Sequence, residues 1–281
     1  MRKEIIGGQY DEERAMYYLQ QADLKGCVFA GPADGESALK EARDITVTDC
    51  HFSLRYPLWH VTGFTLTDSE MDEMTRAALW YAKDGRISNC ALNGIKAVRE
   101  CDHIEISDCE ISSQEFGWKS RGISLANTRI TSEYLFLDSR DISLSHVKMN
   151  GKYSFQYVEH LDVADSVLDT KDAFWHSKHV TVRNSIVKGE YLGWYSEDLT
   201  LIGCKIIGTQ PLYCCKGLKL INCTMEDTDL AFEYSEVEAE VNGHIDSVRN
   251  PLAGTIICDS VGEVIMADAV MPCKGRVIVR E

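Results

Sequence analysis

A short motif recurs along this chain at a nearly constant interval of nineteen residues. Six segments share the pattern apolar-x-apolar-x-(Asp/Asn/Gly)-(Cys/Ser/Val)-x-apolar, give or take one position: Asp44–Phe52, Asp102–Ile111, Arg140–Met149, Lys178–Val187, Glu197–Ile206 and Lys216–Met225. The small residue near the middle of this pattern can be followed through eleven positions: Cys27, Cys50, Ser69, Cys90, Cys109, Thr128, Val147, Ser166, Ser185, Cys204 and Cys223. All steps but the first and third are nineteen residues long. A period that persists this far is typical of a solenoid.

Each repeat also carries a segment in which apolar and polar residues alternate, such as Val180–Val182 and Leu199–Leu201. Alternation with a period of two indicates a strand with one buried face. A single short strand cannot bury that face alone, so successive coils must stack. The hexapeptide repeat of left-handed β-helices is absent, and the segments are too short and too β-branched for leucine-rich repeats. The sequence therefore predicts an all-β fold, a single-stranded right-handed parallel β-helix with 19-residue coils.

We expect one domain that covers the whole chain, with three parts: an N-terminal cap at 1–21, regular coils at 22–242, and degraded last coils with a C-terminal cap at 243–281. Within the first part, Glu12–Leu19 has helical spacing and is expected to form a capping helix. The third part continues with strand-like pieces at Thr255–Cys258 and Val264–Met266.

The column of small residues is predicted to face the interior of the solenoid. Six of the eleven cysteines lie in it: Cys27, Cys50, Cys90, Cys109, Cys204 and Cys223. Free cysteine packs as a small hydrophobic residue, so these thiols are expected to be core residues without chemistry. The preceding column suits a tight turn, because Asp and Asn tolerate a left-handed backbone. Its members are Asp49, Asp68, Asn89, Asp108, Asn127, Asp165, Asn184 and Asn222.

Composition limits the classes of partner and the compartment. The net charge of −15 argues against nucleic acid, whose binders need Lys and Arg to displace counterions. No run of eighteen apolar residues is present, so a membrane partner is not expected, and Met1–Tyr10 does not have the apolar stretch of a secretory signal. Together with eleven cysteines that include no Cys-x-x-Cys pair, this predicts a cytoplasmic protein. The oligomeric state stays open.

A second strand is expected in each coil, and its outward face shows functional character. We predict that positions six, eight and ten after the small residue point outward and that positions seven, nine and eleven point inward. In the C-terminal half the outward face is rich in aromatic residues. Aromatic rings with polar edges suit sugars, which offer C–H faces and hydroxyl groups. The candidate ligand-binding residues are Tyr153, Phe174, Tyr191, Trp194, Tyr195 and Gln210. The opposite phase would expose Trp118, Trp175 and Trp194 and would still leave an aromatic groove.

Several ionisable residues on this face are candidates for acid and base chemistry: Asp172, His176, Glu190, Asp229 and Glu233. Asp172, Asp229 and Glu233 have no cation at matching positions in adjacent coils, and unpaired carboxylates among aromatic rings are expected to have raised pKa values. On a straight strand Asp229 and Glu233 would be about 13 Å apart. That exceeds the about 6.5–9.5 Å of inverting glycosidases, although Glu190 could shorten one gap. By contrast, Lys96 with Glu115 and Glu100 with Lys119 are expected to form ion pairs between coils. No metal-ligand spacing or phosphate loop is apparent, so neither a metal nor a cofactor is predicted.

Several longer stretches are distinctive: Ala33–Ala42, Leu54–His60, Arg76–Tyr81, Lys171–Lys178, Gly189–Glu197 (GEYLGWYSE), Gly208–Cys214 and Asp229–Ser235. In these stretches the chain resembles an uncharacterised family of bacterial proteins that is catalogued as a domain of unknown function with a pectin-lyase-like β-helix. The resemblance implies the fold and no activity. The chain lacks the calcium-binding carboxylate cluster with a catalytic Arg of pectate lyases and the closely spaced aspartates of polygalacturonases. A role in binding or processing carbohydrate is therefore implied only by the similarity of fold.

Two functional hypotheses follow. The first is a carbohydrate-active enzyme, such as a glycoside hydrolase, that acts on a neutral or short glycan. The second is a non-catalytic scaffold that binds a glycan or a protein partner on its aromatic face. In both, the expected ligand is a carbohydrate or another small molecule.

Overall fold

The structure is a computed structural model that describes residues 2–32 and 35–281. It consists of strands and turns, and no α-helix occurs in the described residues. The chain divides into two compact units, Met1–Ser143 and Leu144–Glu281. In each of them the strands pair in parallel, and the fold is the predicted right-handed parallel β-helix. The prediction of one domain, with caps at both ends, stays a prediction.

The strands of the first unit are β1 Lys3–Ile6, β2 Gln20–Lys25, β3 Val28–Phe29, β4 Arg43–Thr48, β5 His51–Phe52, β6 Thr62–Thr67, β7 Glu70–Met71, β8 Leu79–Trp80, β9 Lys83–Ser88, β10 Ala91–Leu92, β11 Val98–Arg99, β12 Asp102–Ser107, β13 Glu110–Ser112, β14 Arg121–Ala126 and β15 Arg129–Glu133. The next strand, β16 Arg140–Ser145, contains the boundary between the units.

The strands of the second unit are β17 Lys148–Lys152, β18 Glu159–Ala164, β19 Val167–Lys171, β20 Lys178–Arg183, β21 Ile186–Lys188, β22 Glu197–Ile202, β23 Lys205–Ile207, β24 Leu218–Glu226, β25 Glu236–Val241, β26 His244–Arg249, β27 Ala253–Cys258, β28 Ser260–Ile265 and β29 Arg276–Val279. No helix capable of spanning a membrane occurs in the described part of the chain.

Each regular coil begins with a six-residue strand whose alternate residues are buried. In β20 the buried residues are Val180 and Val182, and they lie in register with Leu199 and Leu201 of β22. The register step is nineteen residues, as the repeat predicts. Stacked strands of this kind form the first side of each unit, and the shorter strands that follow the turn form the second side.

The column of small residues lies inside the coils, as predicted. All eleven members are at most 5% exposed. Their side chains also bond between coils, because the backbone N–H of one member donates to the side chain of the next. Cys50 N donates to Ser69 Oγ at 3.0 Å in the first unit, and Ser166 N donates to Ser185 Oγ at 3.0 Å in the second. Cysteine joins the same chain of bonds, since Cys90 N donates to the thiol of Cys109 at 3.4 Å.

The Asp/Asn column has the left-handed backbone that the sequence predicts. All eight members have φ between 48° and 55°. Their side chains also bond along the stack. Asn89 Nδ2 donates to Asp68 Oδ1 at 2.5 Å, and Asn184 Nδ2 donates to Asp165 Oδ1 at 3.4 Å. The turn therefore stabilises both the bend within a coil and the contact between coils.

The third side of each coil is a chain of turns. In the regular coils the predicted phase of the side chains holds at positions six, seven, ten and eleven, and it is wrong at positions eight and nine. Left-handed residues alternate along it, as at Asp172, Phe174 and His176 with φ of 54°, 61° and 53°. In seven of the ten predicted outward triplets the middle residue has this left-handed conformation, which turns it inward. All ten middle residues are buried: Leu58, Ala77, Val98, Gly117, Phe136, Phe155, Phe174, Gly193, Leu212 and Ala231. The residue after each of them, at position nine, lies partly exposed in most coils instead.

The ends of the chain differ in how well their elements were predicted. The capping helix at Glu12–Leu19 is wrong: this stretch consists of turns, and its backbone N–H groups donate to carbonyls of residues 36, 38 and 40 in the next coil. It is thus a third side, and the coil to which it belongs starts with β1. At the other end, the strand expected at Thr255–Cys258 is confirmed within β27, and the one expected at Val264–Met266 overlaps β28.

Candidate functional site

The third side of the second unit carries a continuous group of aromatic side chains, which we call the aromatic stripe: Tyr157, Trp175, His176, Tyr191, Trp194, Tyr195, Tyr213 and Tyr234. Its members are exposed or half-buried. Most of them sit at positions nine and ten of successive coils, so the nineteen-residue repeat places them beside one another.

Three rings of the aromatic stripe form a parallel stack. His176 lies between Tyr157 and Tyr195, with ring centroids 5.2 and 4.9 Å apart and planes within 6° of parallel. In this stack each ring covers the face of the next, and all three residues are exposed. Phenol hydroxyls and imidazole nitrogens therefore recur at one position per coil. Next to this stack Tyr213 meets Tyr195 edge-on, with centroids 5.4 Å apart and planes at 86°.

Among the predicted ligand-binding residues, Trp194 has an indole ring that is held by a hydrogen bond and by two ring contacts. Its indole N–H donates to the backbone carbonyl of Gln210 at 2.8 Å, and its ring contacts Tyr191 and Tyr213 at centroid distances of 5.1 and 4.8 Å. The structure thus brings together Tyr191, Trp194 and Tyr195, with Gln210 supplying a backbone acceptor. The indole is held in one orientation and is half-buried, which suits a contact surface.

Two predicted ligand-binding residues lie outside this group. Phe174 is fully buried and stacks on Phe155 inside the coils, at a centroid distance of 5.3 Å, so the prediction that it faces a ligand is wrong. The left-handed backbone at this residue is the reason, as described above. Tyr153 is half-buried, and Lys152 Nζ lies 5.5 Å from the centre of its ring.

The expectation that Asp172, Asp229 and Glu233 have no cationic partner is wrong for Glu233. Glu190 pairs with Lys171 Nζ at 2.9 Å, and Glu233 pairs with Arg249 Nε at 3.2 Å. Asp229 accepts a short hydrogen bond from the hydroxyl of Thr209. Neither cation was found from the sequence. Lys171 lies one position before Asp172, and Arg249 belongs to the tail where the repeat is degraded.

A one-residue insertion explains why Asp229 and Glu233 were misplaced. Before the insertion Tyr191 N donates to the carbonyl of Thr209, and one coil later Gln210 N donates to the carbonyl of Asp229. Asp229 therefore corresponds to Thr209 with a step of twenty residues. In the same frame Glu233 corresponds to Tyr213, and it occupies the column of Trp175 and Trp194 rather than an outward column.

Asp172 has the electrostatic character that was expected of a catalytic acid. Burial raises the pKa of its carboxyl, Lys171 opposes that shift, and the negative charge of Glu190 adds to it. Lys171 Nζ also lies 5.0 Å from the centre of the Tyr191 ring. A half-buried carboxyl with a raised pKa thus stands beside a cation, a second carboxylate and the edge of the aromatic stripe. Such a group is suited to donating a proton.

Tyr213 and Tyr234 were missed as site residues. Burial raises the pKa of Tyr213, with the neighbouring thiol of Cys214 adding to the effect. Tyr213 was missed because it sits at position nine, which was assigned to the interior. The signal was present nonetheless, since Trp175 and Trp194 hold the same position in the two preceding coils. His176 was predicted to be catalytic. Its ring lies in the stack, against the rings of Tyr157 and Tyr195.

The first unit offers two other surfaces. A groove of about 530 Å³ has several charged residues in its lining, and two pairs form among them: Arg2 with Asp44, and Arg86 with Glu105. Because these charged groups already bond to each other, they are less available to bind a ligand.

The other surface of the first unit is an aromatic cluster around Trp59 and Trp80, whose centroids are 5.5 Å apart. Lys40 Nζ lies 3.7 Å from the ring centre of Trp59, and the Arg99 guanidinium lies 5.3 Å from that of Trp80. These ring faces already have cationic partners, so the aromatic stripe is the better candidate site. Nearby, the predicted pair of Lys96 with Glu115 is confirmed at 3.0 Å, whereas Glu100 pairs with Arg99.

Comparison with known proteins places the chain in a family. The sequence profile of one family matches residues 3–278. The chain belongs to DUF3737. DUF3737 is described as a protein of unknown function, which agrees with the resemblance seen in the sequence. No curated protein matches this DUF3737 chain.

Several solved structures are similar to the DUF3737 chain. PfbA, a surface adhesin of Streptococcus pneumoniae, is 9% identical with a TM-score of 0.36, covering 98% of this chain and 80% of PfbA. A double mutant of the periplasmic alginate epimerase AlgG is 10% identical with a TM-score of 0.33, covering 92% and 77%. A mannuronic acid specific polysaccharide family 6 lyase from human gut microbiota is 7% identical with a TM-score of 0.32, covering 98% and 81%. At these scores the similarity carries no argument about function.

Proposed function

We propose that this DUF3737 protein binds a neutral glycan chain along the aromatic stripe. The observation that carries the proposal is the stack of Tyr157, His176 and Tyr195, in which the ring centroids recur every 4.9 to 5.2 Å. An extended glycan presents hydroxyl groups along its length, and these can bond to a row of phenol and imidazole groups. Half-buried Trp194 and Tyr213 add apolar surface for the C–H faces of sugar rings.

Charge favours a neutral ligand over an acidic one. The protein carries a net charge of −15, and both Lys171 and Arg249, the cations near the predicted acids, are paired with carboxylates. An acidic glycan would meet repulsion, and neither Lys171 nor Arg249 is free to offset it. The stripe is also open rather than enclosed, which suits a chain that lies across several coils more than an isolated sugar.

Asp172 supports a second candidate, a glycoside hydrolase that acts on the bound chain. Its carboxyl has a raised pKa at the edge of the stripe, and Glu190 is the second acidic group beside Lys171. Glycoside hydrolysis needs two carboxyl groups in different protonation states. Substituting Asp172→Asn separates the two functions. In a hydrolase it abolishes turnover and leaves binding intact, and in a scaffold no turnover exists to be lost.

The binding proposal is tested by probing the full chain on an array of neutral glycans and titrating the best oligosaccharide by calorimetry. Trp194→Leu is expected to weaken binding about tenfold, equivalent to about 1.4 kcal/mol. Trp118→Leu is the matched control, because its indole N–H donates to the carbonyl of Tyr134 at 2.7 Å, as that of Trp194 does to Gln210. Trp118 lies outside the stripe, so its variant should bind as the original protein does.

Two results would contradict the proposal. One is an array on which no neutral glycan is retained by the folded protein. The other is an equal loss of affinity in both tryptophan variants, which would show that the effect comes from general weakening of the coils rather than from the stripe.

A further inference from the structure

Three potential metal ligands meet on the surface of the second unit: Glu159, His160 and His179. One carboxylate oxygen and one ring nitrogen from each histidine all lie within 4.8 Å of one another. All three side chains are exposed. None of them belongs to the aromatic stripe or to the candidate acids, so the cluster has no part in the function proposed above.

Coil stacking explains how residues that are far apart in sequence come together here. His160 and His179 are nineteen residues apart and occupy the same position in adjacent coils, just before Leu161 and Val180, which are partners in register. Both have a left-handed backbone, with φ of 57° and 54°, and their imidazole rings stack with centroids 5.2 Å apart. No local motif records this arrangement, because the ligands are neighbours only across the coils.

The next coil adds a carboxylate behind the histidine pair. Asp198 stands nineteen residues after His179, and its Oδ2 lies 3.1 Å from His179 Nδ1. A carboxylate that accepts the proton of one ring nitrogen fixes the tautomer and leaves the other nitrogen as a metal ligand. This is the outer contact that metal-binding histidines commonly have, and it is an observation independent of the three-ligand cluster.

We propose that Glu159, His160 and His179 bind one divalent transition-metal ion of the zinc type, with Asp198 orienting His179. Two imidazoles and a carboxylate favour Zn²⁺, Ni²⁺, Co²⁺ or Cu²⁺ over Mg²⁺ and Ca²⁺, which prefer oxygen ligands alone. Ligands bind Zn²⁺ at about 2.0–2.2 Å, so donor atoms within 4.8 Å need only a small rotation of exposed side chains to converge. Three protein ligands leave at least one coordination position open.

The surrounding charges are compatible with this site. Lys178, the register partner of Glu159, pairs with Glu197 Oε2 at 3.3 Å. Lys178 therefore has its own carboxylate partner in that row. Glu159 and Asp198 together supply two negative charges to offset the charge of a divalent ion.

The experiment is a calorimetric titration of the untagged full chain with ZnCl₂ alone in a non-chelating buffer. We expect one ion per chain. His179→Gln should weaken binding at least tenfold, and His160→Gln should do the same. Asp198→Asn should weaken binding by about 10–100-fold without changing the stoichiometry, as expected for an orienting contact. His146→Gln is the matched control, since His146 is an exposed histidine of the same unit that bonds to Ser145 Oγ at 2.8 Å.

Cobalt gives a second readout, because Co²⁺ in the site should produce visible absorption bands that the double variant His160→Gln/His179→Gln lacks. The substituted side chains are exposed, and thermal melting checks that each variant stays folded. The proposal is overturned if the original protein binds no zinc more tightly than about 1 mM. It is also overturned if the folded double variant keeps the zinc affinity, or if His146→Gln lowers it as much as His179→Gln does.

Discussion

At the scale of single residues, the small inward column shows what the sequence could and could not predict. Every position of the column was predicted, because the nineteen-residue period identifies it. Its chemistry was only partly predicted. Cysteine was expected as a small apolar residue, yet Cys109 accepts a bond from Cys90 N and itself donates to the carbonyl of Ser107 at 3.0 Å. Serine, threonine and cysteine can all do this, which explains why these three types dominate the column.

Substitutions at Cys109 test this role. Cys109→Ser keeps an acceptor for Cys90 N and should change the free energy of unfolding little. Cys109→Val removes the acceptor and leaves a buried N–H group unpaired, which costs about 1–3 kcal/mol. Urea denaturation of the two variants measures the difference. Equal stabilities would show that packing alone determines the residue type at this position.

Asp172 gives a prediction about pH. The pKa of its carboxyl is raised in the folded protein above its ordinary value of 3.8, so the folded state holds the proton more tightly than the unfolded state does. Stability contributed by this group is present below the ordinary pKa and is lost as pH rises through the raised one. Asp172→Asn should therefore gain melting temperature relative to the original protein at pH 7, and the gain should shrink as the pH falls towards 4.

Asp259 provides an internal control for the direction of this pH dependence, because its pKa is shifted the opposite way. Hydrogen bonds from Arg280 and from Gly243 N lower the pKa of Asp259. Asp259→Asn should therefore lose melting temperature at pH 7, and its deficit should fade as the pH falls below the ordinary pKa. A gain for Asp172→Asn that does not vary with pH would show that the burial of its charge is not the cause.

At the scale of elements, the first and second sides of the coils were predicted, and the third was predicted only in part. Alternating residues identify a strand only when the backbone is extended. On the third side bulky residues such as Phe155 and Phe174 adopt φ of 60° and 61°, which is unusual for these residue types. Hydrogen bonds to the coils on both sides hold them there, as in Phe174 N to Ser154 O at 3.0 Å. Residue type alone cannot reveal a conformation that depends on neighbouring coils.

The inward position of Phe174 can be tested by stability. Phe174→Ala should cost about 3–5 kcal/mol of unfolding free energy, because it empties a fully buried aromatic site against Phe155. Tyr157→Ala removes a ring that is 54% exposed and should cost much less. Urea denaturation compares the two variants. The reverse order of stabilities would restore the outward phase that the sequence suggested.

At the scale of the whole molecule, the repeat predicts the architecture wherever its period holds and fails where the period changes. Each residue of the small-residue column, from Cys27 to Cys223, is buried at the position that the period predicts. The site residues were less well predicted at the insertion that precedes Asp229, where the frame moves by one residue. Contacts that depend on stacking, such as those of His160 with His179, do not appear in any local motif. Sequence periodicity thus specifies the coils, and the coils create the sites.

Thiol reactivity tests the molecule as a whole. All eleven cysteines are free, nine of them are buried, and only Cys214 and Cys273 are partly exposed. Burial raises the pKa of Cys50 and Cys215 to about 11, which makes these thiols poor nucleophiles. A thiol reagent should therefore modify at most two groups in the native protein and all eleven after unfolding without reductant. Cys273→Ser should lower the number of thiols modified in the native protein by one. The number of thiols that become reactive only on unfolding should stay the same.

The same titration bears on the compartment, for which we propose the cytoplasm. Neighbouring thiols of the small-residue column, such as Cys204 and Cys223, lie two residues after the partners Ile202 and Ile221, which pair in register, so their side chains point the same way, and this suits a disulfide poorly. The thiols of this column stay reduced most easily in a reducing compartment. Recovery of clearly fewer than eleven thiols from protein isolated without reductant would show that some are oxidised in the cell. That result would contradict the cytoplasmic proposal and point to an oxidising location.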